Sequence, residues 1–451
     1  MMKRMFPSAL SNNSRHTLAN IVLVSNAFVW YFFAITILID IVGKNNLDSF
    51  TTILVWSLHF AGISISAIVG ALLVNKIKDR TMFLNLWMIL GILSSVVLFA
   101  LDLTFIPTLL AISLILGVSL GLGMPCCMGY FTESVGIEKR GRVGGVILLL
   151  SGVGMAALGA VTGGNVNLES ATLLGWRAFG LISFFLLVHN STNCEKKNKV
   201  QVPSYKSLIF QRSFILYLVP WIMFSLITYL TGPIQADIIG ISTVDSLKII
   251  ENALTGVFAL AGGFLVDIIG RKRVAIAGFA MLGLSYSVLG IFPRALESWY
   301  FYTVVDGVAW GMLYVLFVIT IWGDLSNGAA SDKYYALGVL PFFISKFFQL
   351  TIGGDIVAAI PDAIFSFTAF FLFLAVLPLV YAPETLPEKV MIDRDLKSYV
   401  EKAKKKVQTE EEKNQKLGQK KPAEAALEFQ VQTEEKDKEY EEAEQLSEKY
   451  Y

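Results

Sequence analysis

Four ionisable side chains stand inside apolar runs: His59, Glu251, Asp306 and Lys346. Charge in hydrocarbon is costly, so such residues face a protein interior or a wet path, where they pair, take up protons or hold charged solutes. Histidine titrates near neutral pH and carboxylates can bind protons in apolar surroundings, which makes His59 and Glu251 candidates to carry protons. Counting the helical rise puts Asp306 and Lys346 at similar depth, so they can form a buried ion pair or bind a charged molecule. A static polar packing role is the alternative for each of the four. A different chemistry is written at residues 262–273, GGFLVDIIGRKR. The terminal bases Arg271, Lys272 and Arg273 anchor a helix to headgroups and fix topology, but that task needs no acid. Asp267, one turn earlier, can instead hold the positive N-terminus of a neighbouring helix and pair with a guanidinium, with glycine permitting the approach.

The elements that position these groups follow from composition. With 55% hydrophobic and 16% charged residues and a mean hydropathy of +0.60 over 451 residues, the chain has too little polar surface for a water-soluble globule. It reads as an all-α integral membrane protein. A crossing takes roughly 20 apolar residues, and twelve stretches qualify: 18–42, 51–74, 82–101, 106–130, 143–163, 173–190, 213–232, 248–269, 274–292, 299–322, 335–356 and 363–381. The sixth carries Arg177 near its start, and the fifth is rich in small residues that suit close packing in lipid. The net charge of +1 averages this apolar body with a Lys/Glu-rich tail. The first span is too long for a cleaved signal, and Met1 to His16 is polar and basic. The three cysteines, Cys126, Cys127 and Cys194, have no metal-ligand spacing and no disulfide framework.

Bases cluster in alternate loops, at Lys76, Lys78 and Arg80, at Lys139, Arg140 and Arg142, at Lys196 to Arg212, and at Arg271 to Arg273. The positive-inside rule puts these loops and both termini in the cytoplasm of a cell-membrane protein. An internal repeat runs through the same segments. VGALLVNKIKDR, ending the second span, echoes AGGFLVDIIGRKR, ending the eighth: Gly70 falls on Gly262, Asn75 on Asp267 and Arg80 on Lys272, at an offset of 192. GVSLG at Gly117 to Gly121 matches GVAWG at Gly307 to Gly311 at an offset of 190, and Glu133 matches Asp324 at 191. His59 and Glu251 then occupy equivalent places, each 11 residues before the paired glycines. Six helices per half return each half to its starting side, so the halves run parallel.

Twelve helices in two pseudo-symmetric six-helix bundles, with Gly263, Asp267, Gly270, Arg271 and Lys272 in a G-x-x-x-D-x-x-G-R-K pattern, resemble the major facilitator superfamily of secondary transporters. Ile268 stands where that family usually has a base, and the first-half copy is more eroded, with Ala71, Asn75, Lys78 and Asp79 at the motif positions. The resemblance implies that Asp267 meets the fifth helix and closes an inner gate, together with Glu133 and Arg140. Tyr130, Glu133, Arg140 and Gly141 with Pro383-Glu384-Thr385 resemble the sugar-porter branch, although the glutamine-rich signature of its seventh helix is missing.

Segment boundaries follow: an N-terminal segment 1–17, bundles over 18–190 and 213–381, a loop over 191–212, and a charged tail over 382–451. The tail cannot build a core, although DLKSYVEKAKKKVQ can be helical through charge pairs four apart. The sequon Asn190-Ser191-Thr192 falls on the cytoplasmic side. Asn26, Tyr31, Trp221 and Tyr229, with Trp30, Trp310 and Tyr314, are expected to line a central cavity. No nucleotide loop, metal cluster or nucleophile–base spacing stands out, so an enzyme is not expected, nor a cofactor, nor nucleic-acid binding. The expected partners are a small solute, the lipid bilayer and protons as coupling ion, with the chain monomeric. The leading function is a secondary transporter of a small solute such as a sugar or organic acid; the alternative is a transporter-like sensor signalling through its tail.

Overall fold

The computed structural model describes residues 12–74, 76–77, 79–188, 203–328, 330–359 and 364–387, with scattered positions of the tail beyond. The first half comprises α1 (Asn12–Lys44), α2 (Ser49–Val74), α3 (Arg80–Ala100), α4 (Ile106–Ser134), α5 (Arg140–Thr162) and α6 (Val166–Val188). A short helix, α7 (Tyr205–Ile209), precedes the second half. There α8 (Arg212–Ile239), α9 (Ile241–Ile268) and α10 (Arg271–Ile291) are followed by three interrupted spans. These are α11 (Leu296–Tyr314) with α12 (Ile321–Leu325), α13 (Ser331–Gly338) with α14 (Leu340–Ala359), and α15 (Ile364–Leu374) with α16 (Val376–Tyr381). Eleven described helical segments are long and apolar enough to cross a membrane; α8 supplies a shorter apolar run, Arg212–Ile227. The protein is therefore a multi-pass membrane protein of two six-helix halves.

The loops start helices by local chemistry. Asp79 caps α3, its carboxylate accepting from the Thr81 amide at 2.9 Å and the Met82 amide at 3.2 Å. The Thr81 hydroxyl and these amides hold the Asp79 carboxyl below the usual carboxylate range. Pro107 sits in the first turn of α4, where its missing N–H costs nothing. Between α9 and α10 the chain turns at Gly270, whose φ of +109° suits only glycine.

The glycines that revealed the repeat share one packing function. A Cβ at Gly117 would strike the His59 carbonyl and one at Gly121 that of Ile63, so α4 lies against α2. In the second half, a Cβ at Gly307 would press on Glu251 and one at Gly311 on Phe258 and Ala259, so α11 lies against α9. Close backbone approach is the main attraction available in lipid, where apolar burial gains little. His59 and Glu251 thus occupy equivalent positions beside equivalent glycines. Across the halves, α5 packs on α9, and α13 and α14 pack on α2. Gly141 and Gly145 meet Gly263 and Ala259 on the first seam. At the repeat offset, their counterparts on the second seam include the packed trio Ala67, Ala71 and Ala336.

Among the boundaries that move, two bear on the buried charges. The sixth span begins at Val166, not 173, which puts Arg177 in mid-helix. The eighth begins at Ile241, not 248, so Lys248 and Glu251 lie within the helix. Both starts are masked by polar residues, of which Glu169 and Ser170 face the protein while Ser242, Asp245 and Ser246 are exposed. The tail forms its own unit over Pro387–Tyr451, of which residues 402–409 are helical and exposed. Asn75, Lys78, Cys194 and the Asn190 sequon fall outside the described residues.

Candidate functional site

Asp267 is fully buried at the end of α9 and binds the start of α5. Its carboxylate accepts from the Gly141 amide at 3.0 Å and the Arg142 amide at 2.9 Å. The Arg271 guanidinium lies 3.3 Å away and that of Arg142 3.6 Å. Free amides and the positive pole of α5 make this a ready carboxylate site. Gly141 and Gly263 are required by contact: a Cβ on either would enter the other's carbonyl.

Arg271 turns from Asp267 to Asp324, its Nε donating at 2.9 Å. Arg140 reaches the other Asp324 oxygen from the opposite half at 2.7 Å and spends its remaining donors on the Val135 and Thr132 carbonyls. Asp324 is thus clamped between two guanidiniums. Glu384, in the Pro383-Glu384-Thr385 segment, accepts from the Arg271 amide at 2.9 Å and the Lys272 amide at 3.1 Å, which caps α10. Lys272 donates its ammonium to the Val380 carbonyl at 2.6 Å. The loop motif is therefore one network in which the acids hold helix starts and the bases hold acids and helix ends.

The second seam is latched with its polarity reversed. The position matching Gly141 is Asp332, at the start of α13, and the position matching Lys272 is Arg80. Arg80 donates to Asp332 at 2.6 Å and lies 3.1 Å from Glu133, which therefore serves Arg80 rather than Arg140. The acid stands on the eleventh span, not at the eroded end of the second. Nearby, the Tyr205 phenol donates to the Ile68 carbonyl at 3.1 Å; burial, then the Asp332 charge, pushes that phenol up to about 12, so it stays a donor. Thr132 donates to the Tyr335 hydroxyl at 3.2 Å, another link between halves. A cycle of Arg80→Gln, Asp332→Asn and the double variant is expected to show coupling of about 1 to 3 kcal/mol in unfolding measurements. Additive losses would mean that the pair does not latch the seam.

Inward of these latches lies a cavity lined from both halves, including Tyr31, Trp221 and Tyr314 among the expected residues. A π-helical turn, Val315–Thr320, contributes Val318 to its wall. Tyr229 stands behind the wall, its ring 5.4 Å from that of Phe342 and 6.5 Å from that of Trp310. Asn26 and Trp30 are not at the cavity. Asn26 lies inside the first bundle, donating to the Trp176 carbonyl at 2.7 Å and accepting from Arg177 at 3.0 Å. The Arg177 guanidinium is held between the faces of Trp30, at 5.1 Å, and Trp87, at 4.4 Å. Cation–π attraction of about 2 kcal/mol per desolvated face offsets part of its burial. This buried arginine explains the polar and aromatic residues that looked like cavity lining.

Of the roles open to Asp306 and Lys346, a mutual ion pair does not form. Lys346 donates to Gln349 at 2.7 Å and sits 5.2 Å over the Tyr229 ring. Asp306 is buried, and neither carboxylate oxygen has a hydrogen-bond partner among the described residues. Glu251 is buried and takes both oxygens to Lys248, at 2.7 and 2.9 Å. Beside them Gln235, Tyr302, Tyr286 and Thr231 form a hydrogen-bonded chain with links of 3.0 to 3.2 Å. Sequence reading missed this cluster because its members come from α8, α9, α10 and α11. His59 is enclosed by aromatic rings, with Nδ1 3.0 Å from the Ser113 carbonyl and Nε2 unpartnered.

No protein-family profile and no curated protein matches the sequence. Solved structures do match. The human organic anion transporter MFSD10 superposes with a TM-score of 0.60 at 13% identity, over 82% of this chain and 100% of that one. The E. coli fucose:proton symporter FucP gives 0.62 at 12% identity, over 82% of this chain and 99% of that one. The chain has the major facilitator fold. In that fold the two halves meet at a central cavity, and here the α5–α9 and α2–α13 seams close the cavity's base-rich end.

Proposed function

We propose that this protein is a secondary transporter that moves a small solute across the cell membrane by alternating access. The observation that carries the reading is a cavity shared by both halves and closed at one end by ion networks that cross between them. By the positive-inside rule that end and both termini are cytoplasmic, so the conformer is closed toward the cytoplasm. Opening requires Asp267 to leave the start of α5 and Arg80 to leave Asp332, while the contacts within each half persist. The bundles over 18–190 and 213–381 are the two moving bodies, and the chain works as a monomer. Two solved structures with this fold are transporters, one of organic anions and one of fucose with protons.

Glu251 and Asp306 are the coupling site in this reading. Two buried acids lie near one base, Lys248, which bonds only Glu251, and Asp306 makes no hydrogen bond of ordinary geometry among the described residues; proton uptake removes the cost of burying the second charge. A sensor would need the fold but no flux. Counterflow in proteoliposomes, with labelled sugars and organic acids and no imposed gradient, separates the two. Exchange is expected for one of these solutes and is expected to vanish in Asp267→Arg, which sets a cation against the α5 N-terminus and Arg142. Absence of exchange across the panel would refute transport.

A further inference from the structure

The central cavity is built for a particular kind of solute. Phe28, Tyr31, Phe32, Trp221, Phe342 and Phe343, with Tyr314, supply about half of its wall, and the remaining lining is aliphatic or methionine. Trp221 is set parallel between Phe317, at 5.0 Å, and Phe342, at 6.4 Å, while Phe343 meets Tyr31 edge-on at 5.7 Å. Such walls favour flat, apolar bodies. A sugar would bury its ring of hydroxyls against carbon with few partners, which is costly for each one.

Two donors stand close to the aromatic wall, one of them without a hydrogen-bond partner among the described residues. The Trp221 indole N–H is buried and has no hydrogen-bond partner among the described residues. Lys346 lies on α14 one turn beyond Phe342, its ammonium over Tyr229, which itself packs on Phe342. No carboxylate pairs with Lys346 among the described residues, and Gln349 is its one recorded hydrogen-bond acceptor. An ammonium has three donors, and a half-buried one without a counter-charge favours an anion from outside the chain. We infer that the cavity takes a small organic anion with an apolar ring body, its ring among the aromatic walls and its carboxylate held by Lys346. This deepens the transporter reading and rests on it for the cavity's purpose.

The test is binding to the purified full chain, read by calorimetry without any flux. The probes are naphthalene-2-carboxylate, naphthalene-2-carboxamide and fucose. The carboxylate is expected to bind about tenfold tighter than the amide, and fucose weaker than both. Lys346→Gln should abolish the tenfold preference while leaving amide affinity within about twofold, and Lys346→Arg should restore it. Lys346→Met replaces the glutamine variant if that chain does not fold. Equal binding of carboxylate and amide, tighter binding of fucose, no binding of the carboxylate, or a preference that survives loss of Lys346 would overturn the inference. Fucose exchange without anion binding would sink the solute class and leave transport standing. Lys346-dependent anion binding without exchange would sink transport and leave the site standing.

Discussion

Asp324→Asn is expected to shift the protein away from its closed conformer by about two orders of magnitude. Asp324 neutralises Arg140 from one half and Arg271 from the other, at 2.7 and 2.9 Å. Removing one member of a buried ionic group costs about 3 to 5 kcal/mol, because charge is left uncompensated. At about 1.4 kcal/mol per tenfold, the lower figure is a factor of roughly 100. The cost falls mainly on the closed state, since opening the seam lets water reach both guanidiniums. Ser326, buried two residues beyond, reports the opening. Ser326→Cys should react with a membrane-impermeant maleimide about 100-fold faster when Asp324→Asn is present. Adding Arg271→Gln should undo part of the effect, since it removes one of the stranded charges. An unchanged labelling rate would mean that packing of α5 on α9, not the ion network, keeps the end shut.

Asp306→Asn and Glu251→Gln are expected to uncouple uptake from the pH gradient while sparing exchange. One proton moving down a gradient of about one pH unit supplies about 1.4 kcal/mol, enough for about tenfold accumulation. The unmodified chain should reach that accumulation ratio in acid-outside vesicles, and either variant should fall to a ratio of about one. Counterflow needs no driving force and should stay within about twofold. His59 provides the contrast. It occupies the matching place in the first half, but its Nδ1 is engaged by the Ser113 carbonyl and its ring is enclosed by Tyr31, Trp56 and Phe60. His59→Ala should therefore lower stability and leave coupling intact. Accumulation that persists in both acid variants would assign coupling elsewhere.

Particular residues show what was legible beforehand. Asp267 could be read because its partners are backbone amides at a helix start, which any sequence supplies, and because the family resemblance implied that this start belongs to the fifth helix. The paired glycines could be read because close helix approach in lipid has few other solutions. Glu384 was visible as a motif, but its task as the cap of α10 was not, since the two segments are over a hundred residues apart. An Asp306–Lys346 pair was one possibility read from depth alone. Depth fixes position along the membrane normal and says nothing of azimuth, and Lys346 turned to Tyr229 and Gln349 instead. Asn26 failed for the same reason: a polar side chain in an apolar helix signals a partner inside the protein, whether cavity or buried charge, and here the partner was Arg177.

Local composition and repeat thus determined the membrane fold and the parallel halves, because hydrophobic length acts along the chain, while the partner of the first latch came with the family resemblance. Tertiary structure alone decided which charges meet. Arg80 and Asp332 stand 252 residues apart, and their bond at 2.6 Å replaces an acid that the first half has lost. An ion pair needs only opposite charges at a shared point in space, so either side of a seam can carry the acid. Lys346 with its aromatic neighbours was likewise decided by the packing of α8 against α14, where side-chain direction, invisible to spacing, sets what the cavity can hold.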